Sequence, residues 1–148
     1  MTWITKSLLA FSLMMAAHAW AEEKIALIVS KSSAIQKLSA EQVKTLFLGQ
    51  TRFAEEGKVV NIADRDRNSP IYKEFYQLSA NMSPKEVGVH WAKKVFTGEA
   101  PPPARLTGDD TAAKEWVKTH DDGLTYIYAK NADAKIRVVA TLEGAQAR

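Results

Sequence analysis

The sequence predicts an α/β domain in which a mixed sheet of about four strands is flanked by about four helices. Three observations carry that expectation. Residues 24–30, KIALIVS, form a continuous apolar run rich in β-branched residues, the pattern of a strand buried on both faces. Two helix-start signatures occur, Ser39 with Gln42 and Ser83 with Glu86. Strand-like and helix-like segments then alternate along the chain, which is the pattern of layered α/β architecture.

After the first strand, Ser39 and Gln42 make a capping box. Val43, Leu46 and Phe47 put an apolar stripe on the helix that follows, and Gly49 closes it. Residues 51–57 are a turn and residues 58–63 the second strand, which runs into the charged junction Asp64, Arg65, Asp66, Arg67, Asn68, Ser69. Ser69 is an N-cap and Pro70 a first helical residue. In the helix they open, Ile71, Tyr72, Phe75 and Leu78 recur at helical spacing, which places these aromatic residues in the core. A third helix starts at Ser83, Pro84 and Glu86 and runs through Val87, Trp91 and Val95 toward Gly98. Pro101, Pro102 and Pro103 cannot donate backbone hydrogen bonds and hold an extended connector. Asp109 or Asp110 caps a short helix containing Ala112, Ala113, Trp116 and Val117. Residues 124–129 and 136–141 are two further strands around the polar turn 130–135.

Lys6, the apolar run 8–17 and the small-x-small pattern Ala19, Trp20, Ala21 have the layout of a secretory signal peptide. Residues 1–21 are expected to be removed, leaving residues 22–148 as one soluble, exported domain. The apolar run is about ten residues long, half of the roughly twenty that span a bilayer, so no membrane insertion is expected after cleavage. The chain has no cysteine, which excludes disulfides and a lipidated thiol. His18, His90 and His120 are too far apart to suggest a metal site, and no cofactor motif occurs. Without Lys6, 19 Lys and Arg face 17 Asp and Glu with no basic block, which argues against nucleic acid as a partner.

The junction 64–69 is the candidate site. A helix start leaves backbone amides without partners and carries partial positive charge, so an arginine beside it suits phosphate, sulfate or carboxylate. Arg65, Asn68 and Ser69 are the residues expected to bind, with a plain well-capped helix as the alternative. Asp64 and Asp66 alternate with Arg65 and Arg67, and charge pairing among them explains the carboxylates more simply than acid–base chemistry. No G-x-S-x-G, H-E-x-x-H or Cys–His pair occurs, so no catalytic residue is assigned and the chain reads as a non-enzyme. His90, beside Trp91 on a helix, is expected to be structural, and His120 to interact with a helix C-terminus.

Taken in order, several segments resemble the periplasmic phosphate-binding proteins of ABC transporters, in a shortened, single-lobe form. They are KIALIVS, LSAEQVKTLFLGQTRFAEEGKVV, ADRDRNSPIYKEF, HWAKKVFTG with its downstream prolines, and DDGLTYIYA. The resemblance implies a periplasmic-binding-protein-like fold without enzymatic activity, a small oxyanion as ligand and an envelope or membrane transport protein as partner. In the family the junction reads Arg, x, Asp or Glu, x, Ser-Gly-Thr, and it clasps phosphate oxygens at the helix start. Arg65 and Ser69 match, whereas Pro70 and Ile71 replace the glycine and threonine and remove one N–H donor and one hydroxyl. Each lost charge-assisted bond weakens binding by about 1.5–3 kcal/mol, and one lobe leaves the site half open, so weak capture is implied. Thr125 likewise replaces the glycine of the last motif. The alternative function on the same fold is a cell-envelope interaction module that has lost its ligand.

Overall fold

The strand that is apolar at nearly every position lies inside the sheet. In the computed structural model, which describes residues 23–54 and 57–144, every residue of β1 (Ile25–Ser30) is buried. The expected leader, residues 1–21, lies outside the described residues. The elements that follow are α1 (Ala40–Phe47), β2 (Asn61–Asp64), α2 (Pro70–Ala80), α3 (Pro84–Phe96), β3 (Ala104–Arg105), α4 (Asp110–Lys118), β4 (Gly123–Tyr128), a 3₁₀ turn (Ala129–Asn131) and β5 (Ile136–Leu142). The sheet runs β3-β2-β4-β1-β5. It is mixed, because β2 is parallel to β3 and β4 whereas β1 is antiparallel to β4 and β5.

The alternation of side chains along β1 divides the interior in two. Ile25, Leu27 and Val29 face a core shared with Val43, Leu46 and Phe47 of α1, Tyr72 and Phe75 of α2, and Val87 and Trp91 of α3. Ala26 and Ile28 face the opposite side, where Ala113 and Val117 of α4 cover them. Helices on both faces explain why β1 carries no polar face. An aromatic cluster fastens α1 and α2 to the sheet: Phe75 stacks on Tyr126 of β4 at 3.8 Å between ring centroids, and Phe47 meets Phe75 edge-on at 4.7 Å. Phe75→Ala would therefore remove one of the largest contacts in the core, at about 3–5 kcal/mol.

Both expected capping boxes form, with Ser39 and Gln42 exchanging bonds at the start of α1 and Ser83 and Glu86 at the start of α3. Gly49 has φ +67°, and a Cβ there would stand 2.5 Å from the Trp91 ring, so its close packing under α3 admits no side chain. His90 is structural as expected, its Nε2 2.7 Å from the Leu48 carbonyl. His120 Nδ1 lies 2.8 Å from the Trp116 carbonyl at the end of α4, and its ring stacks on Trp116.

Two expectations need correction. The second strand starts at Asn61 rather than residue 58, because Val59 makes only an isolated bridge to Phe53. A fifth strand, β3, follows the prolines. Pairing with β2 begins at Ala104, the first residue after Pro103 with an N–H to donate, in register with Ala63.

Thr125 is fully buried in β4 and its hydroxyl has no hydrogen-bond partner among the described residues. Replacing it with the nearly isosteric valine removes a desolvated polar group, so Thr125→Val is expected to stabilise the fold by about 1–2 kcal/mol in denaturant unfolding.

Candidate anion site at the end of strand β2

β2 and β3 are parallel, so their C-terminal ends reach the same edge of the sheet, and α2 and α4 both begin there. Loops at such an edge are where α/β sheets place ligands. Of the four α-helices among the described residues, three close their starts with a side chain: Ser39 and Gln42 in α1, Ser83 and Glu86 in α3, and Asp109, which accepts from the Ala112 amide, in α4. α2 does not. Its N-cap Ser69 donates its hydroxyl to the Asp66 carbonyl at 2.6 Å and makes no side-chain cap bond. Among the described residues, no side chain therefore caps the amides of Ile71 and Tyr72, and Pro70 has no amide to offer. Asn68 is exposed at the tip of this turn, its backbone N–H bonded to the Asp66 carboxylate at 2.9 Å.

Arg65 departs from the expected arrangement. Instead of converging with Ser69, it is 4 % exposed and points beneath the turn. Its Nη1 donates to Asp110 Oδ1 at 2.8 Å and to the Tyr126 carbonyl at 2.9 Å, and Nη2 reaches the Gly108 carbonyl at 3.4 Å. The expected pairing of Arg65 with its neighbouring aspartates is corrected with it. Asp64 is buried and accepts the hydroxyls of Tyr76 at 2.6 Å and Tyr126 at 2.5 Å, together with the Arg65 amide at 2.8 Å. The physical reason is burial: at 4 % exposure both Asp64 and Arg65 need partners within the fold, and the α4 start and the aromatic core supply them.

Burial raises the Asp64 carboxyl above the usual carboxylate range, while the Tyr126 and Tyr76 hydroxyls and the Arg65 amide pull it down. The folded chain thus holds this proton more tightly than the unfolded chain. The Asp64 contribution to stability is full below the ordinary carboxylate value and is lost as pH rises through the folded one. Burial and the Asp64 charge also raise the Tyr126 and Tyr76 hydroxyls, which remain donors.

Arg67 and Arg105 occupy the open side of the junction. Both are exposed, and neither makes an ion pair within 4 Å among the described residues. Their positive charges both act on Tyr72 in the first turn of α2, lowering a hydroxyl that burial and Asp64 raise overall. The Arg67 guanidinium also lies against Gly88 of α3, where a Cβ would stand 3.4 Å from Nη1. Arg105 sits beside Asp64 across the β2–β3 pair, a position set by the missed strand β3, so spacing along the sequence could not reveal it. Asp110 looked like no more than a cap in the sequence, and the only signal of its second role was its place beside Asp109 at a helix start. The junction is an open surface. A cleft of about 650 Å³ lies elsewhere, beside the start of β2 and the proline connector, lined by Leu46, Phe53, Trp91 and Pro102 among others.

Solved structures share this fold. The chain is similar to a protein from Clostridium perfringens described as a phosphate ABC transporter substrate-binding protein, with bound phosphate, at TM-score 0.62 and 19 % identity over 80 % of this chain and 45 % of that one. It is similar to an ABC-type phosphate transport receptor from Vibrio cholerae at TM-score 0.61 and 16 % identity, over 80 % of this chain and 46 % of the receptor. A protein from Planctomyces limnophilus described as phosphate-binding aligns at TM-score 0.56 and 11 % identity, over 80 % of this chain and 41 % of its own. No protein-family model and no curated protein matches the sequence itself. The architecture is thus a single-lobe periplasmic-binding-protein-like domain, and the chain spans less than half the length of the structures it resembles.

Removing the Asp110 carboxylate would leave Arg65 charged and buried and would also strip acceptors from the Tyr128 amide and the Asn131 side chain, both of which bond Oδ2. Asp110→Ala is expected to lose about 3–5 kcal/mol of unfolding free energy. Asp66→Ala, on the exposed turn, should lose about 1 kcal/mol or less.

Proposed function

We propose that the chain is an exported solute-binding-type protein that holds a small oxyanion of the phosphate class at the β2–α2 junction. The observation that carries this reading is a helix start without a side-chain cap, flanked by Arg67 and Arg105, two exposed cations without ion pairs among the described residues. Arg67 and Arg105 supply charge, the α2 amides supply donors, and Asn68 supplies a side-chain amide. Ser69 gives its proton to the Asp66 carbonyl, so toward a ligand it offers lone pairs, which suits an oxyanion that still carries a proton. Arg65 acts from below, holding the turn through Asp110 instead of touching the ligand. Similarity to phosphate-binding structures supports the ligand class, and the open face supports weak, millimolar capture. The wall on the open side is then supplied by an envelope transport protein or a second copy of this chain. The leader-like residues 1–21 support export to the periplasm.

A second reading, an envelope interaction module without ligand, is favoured by one observation: the arginine matched to the family's phosphate ligand is turned into the core. Thermal unfolding separates the two. Phosphate at about ten times its Kd adds about 1.4 kcal/mol and raises Tm by several degrees. Arg67→Ala with Arg105→Ala is expected to remove that rise while leaving Tm without phosphate within a degree or two. No rise with either phosphate or sulfate at tens of millimolar would leave the interaction module as the function.

A further inference from the structure

The outer face of α3 is apolar where a solvated helix would be polar. Val89 is 64 % exposed and Phe96 92 %, and with the exposed Ala92 they form a stripe over the last two turns. Trp91 and Val87 lie on another side of the helix and already anchor it to the core, so packing within the chain does not account for the stripe. The charge beside it is positive on balance. Lys85 and Lys93 make no ion pair within 4 Å among the described residues, and Glu99 is paired by Lys94. Glu86 accepts the Ser83 amide and contributes one negative charge.

We propose that this face docks on an anionic phospholipid surface, with Phe96, Ala92 and Val89 entering the headgroup boundary and Lys85 and Lys93 meeting lipid phosphates. Charge favours a bilayer over a protein. Val89, Ala92 and Phe96 present roughly 300 Å² of apolar surface, less than the apolar part of a standard protein interface on each partner, and the unpaired lysines beside them suit lipid phosphates. Apolar side chains interleaved with lysines match an interfacial helix, which lies on a membrane and does not cross it. No helix among the described residues is long and apolar enough to cross one. The inference is independent of the anion site, whose α2 amides, Asn68 and Ser69 the test leaves untouched.

The chain has no cysteine, so Ala92→Cys carries a single environment-sensitive fluorophore on the full-length protein, and Glu115→Cys on α4 serves as the far-face control. With vesicles of roughly 7:3 phosphatidylcholine to phosphatidylglycerol, the label at residue 92 is expected to shift to the blue and the label at residue 115 to stay in water. Adding Phe96→Ser, or Lys85→Glu with Lys93→Glu, should raise the lipid concentration at half-shift by about tenfold or more. Pure phosphatidylcholine should give little shift. Because the label reports its own surroundings, association through residues 1–21 alone would leave it in water and overturn the proposal. An equal shift in neutral vesicles, insensitivity to Phe96→Ser, or a shift that follows protein concentration without lipid would overturn it too, the last in favour of self-association.

Discussion

A guanidinium that is only 4 % exposed must find its partners inside the protein, and the partners Arg65 finds tie the site edge of the molecule together. Its bonds to Asp110, the Tyr126 carbonyl and the Gly108 carbonyl join the end of β2 to the start of α4, to the middle of β4 and to the loop after β3. Asp110 passes the constraint on to the Tyr128 amide and Asn131. Asp64, one residue earlier, is clasped by hydroxyls from α2 and β4. The turn that carries Asn68 and Ser69 is thus held from beneath by a satisfied network of charged and phenolic groups, the arrangement in which buried polar groups rigidify a site.

That network changes what the surface can do. With Arg65 committed below, positive charge at the open junction comes from Arg67 and Arg105, which reach it from the turn and from a neighbouring strand. The absence of a side-chain cap on α2, while the other α-helix starts among the described residues are capped, leaves a local demand for a negative partner at this edge.

Much of this was legible in the sequence wherever a local rule sufficed. Ser39 with Gln42 and Ser83 with Glu86 announced their helices because capping is settled within four residues. KIALIVS announced a strand covered on both faces because its apolar run leaves no solvent face. β3 was not legible, since two residues after a proline run carry no periodicity, and Arg105 was lost with it. Arg65 was misread for a different reason. Its neighbours Asp64 and Asp66 looked like sufficient partners, whereas the true partner, Asp110, lies 45 residues away and is brought near only when β2 and β3 align. Long-range ion pairs leave no spacing in a sequence.

The most direct measurement of the central claim is a double-mutant cycle on Arg65→Met and Asp110→Asn, read by denaturant unfolding with and without phosphate. Each single change should be strongly destabilising, the double variant should lose far less than their sum, and a coupling energy of about 3 kcal/mol should be the same in both conditions. Additive effects, or a stable Arg65→Met variant whose only defect is a lost response to phosphate, would show that Arg65 serves the ligand and not the fold.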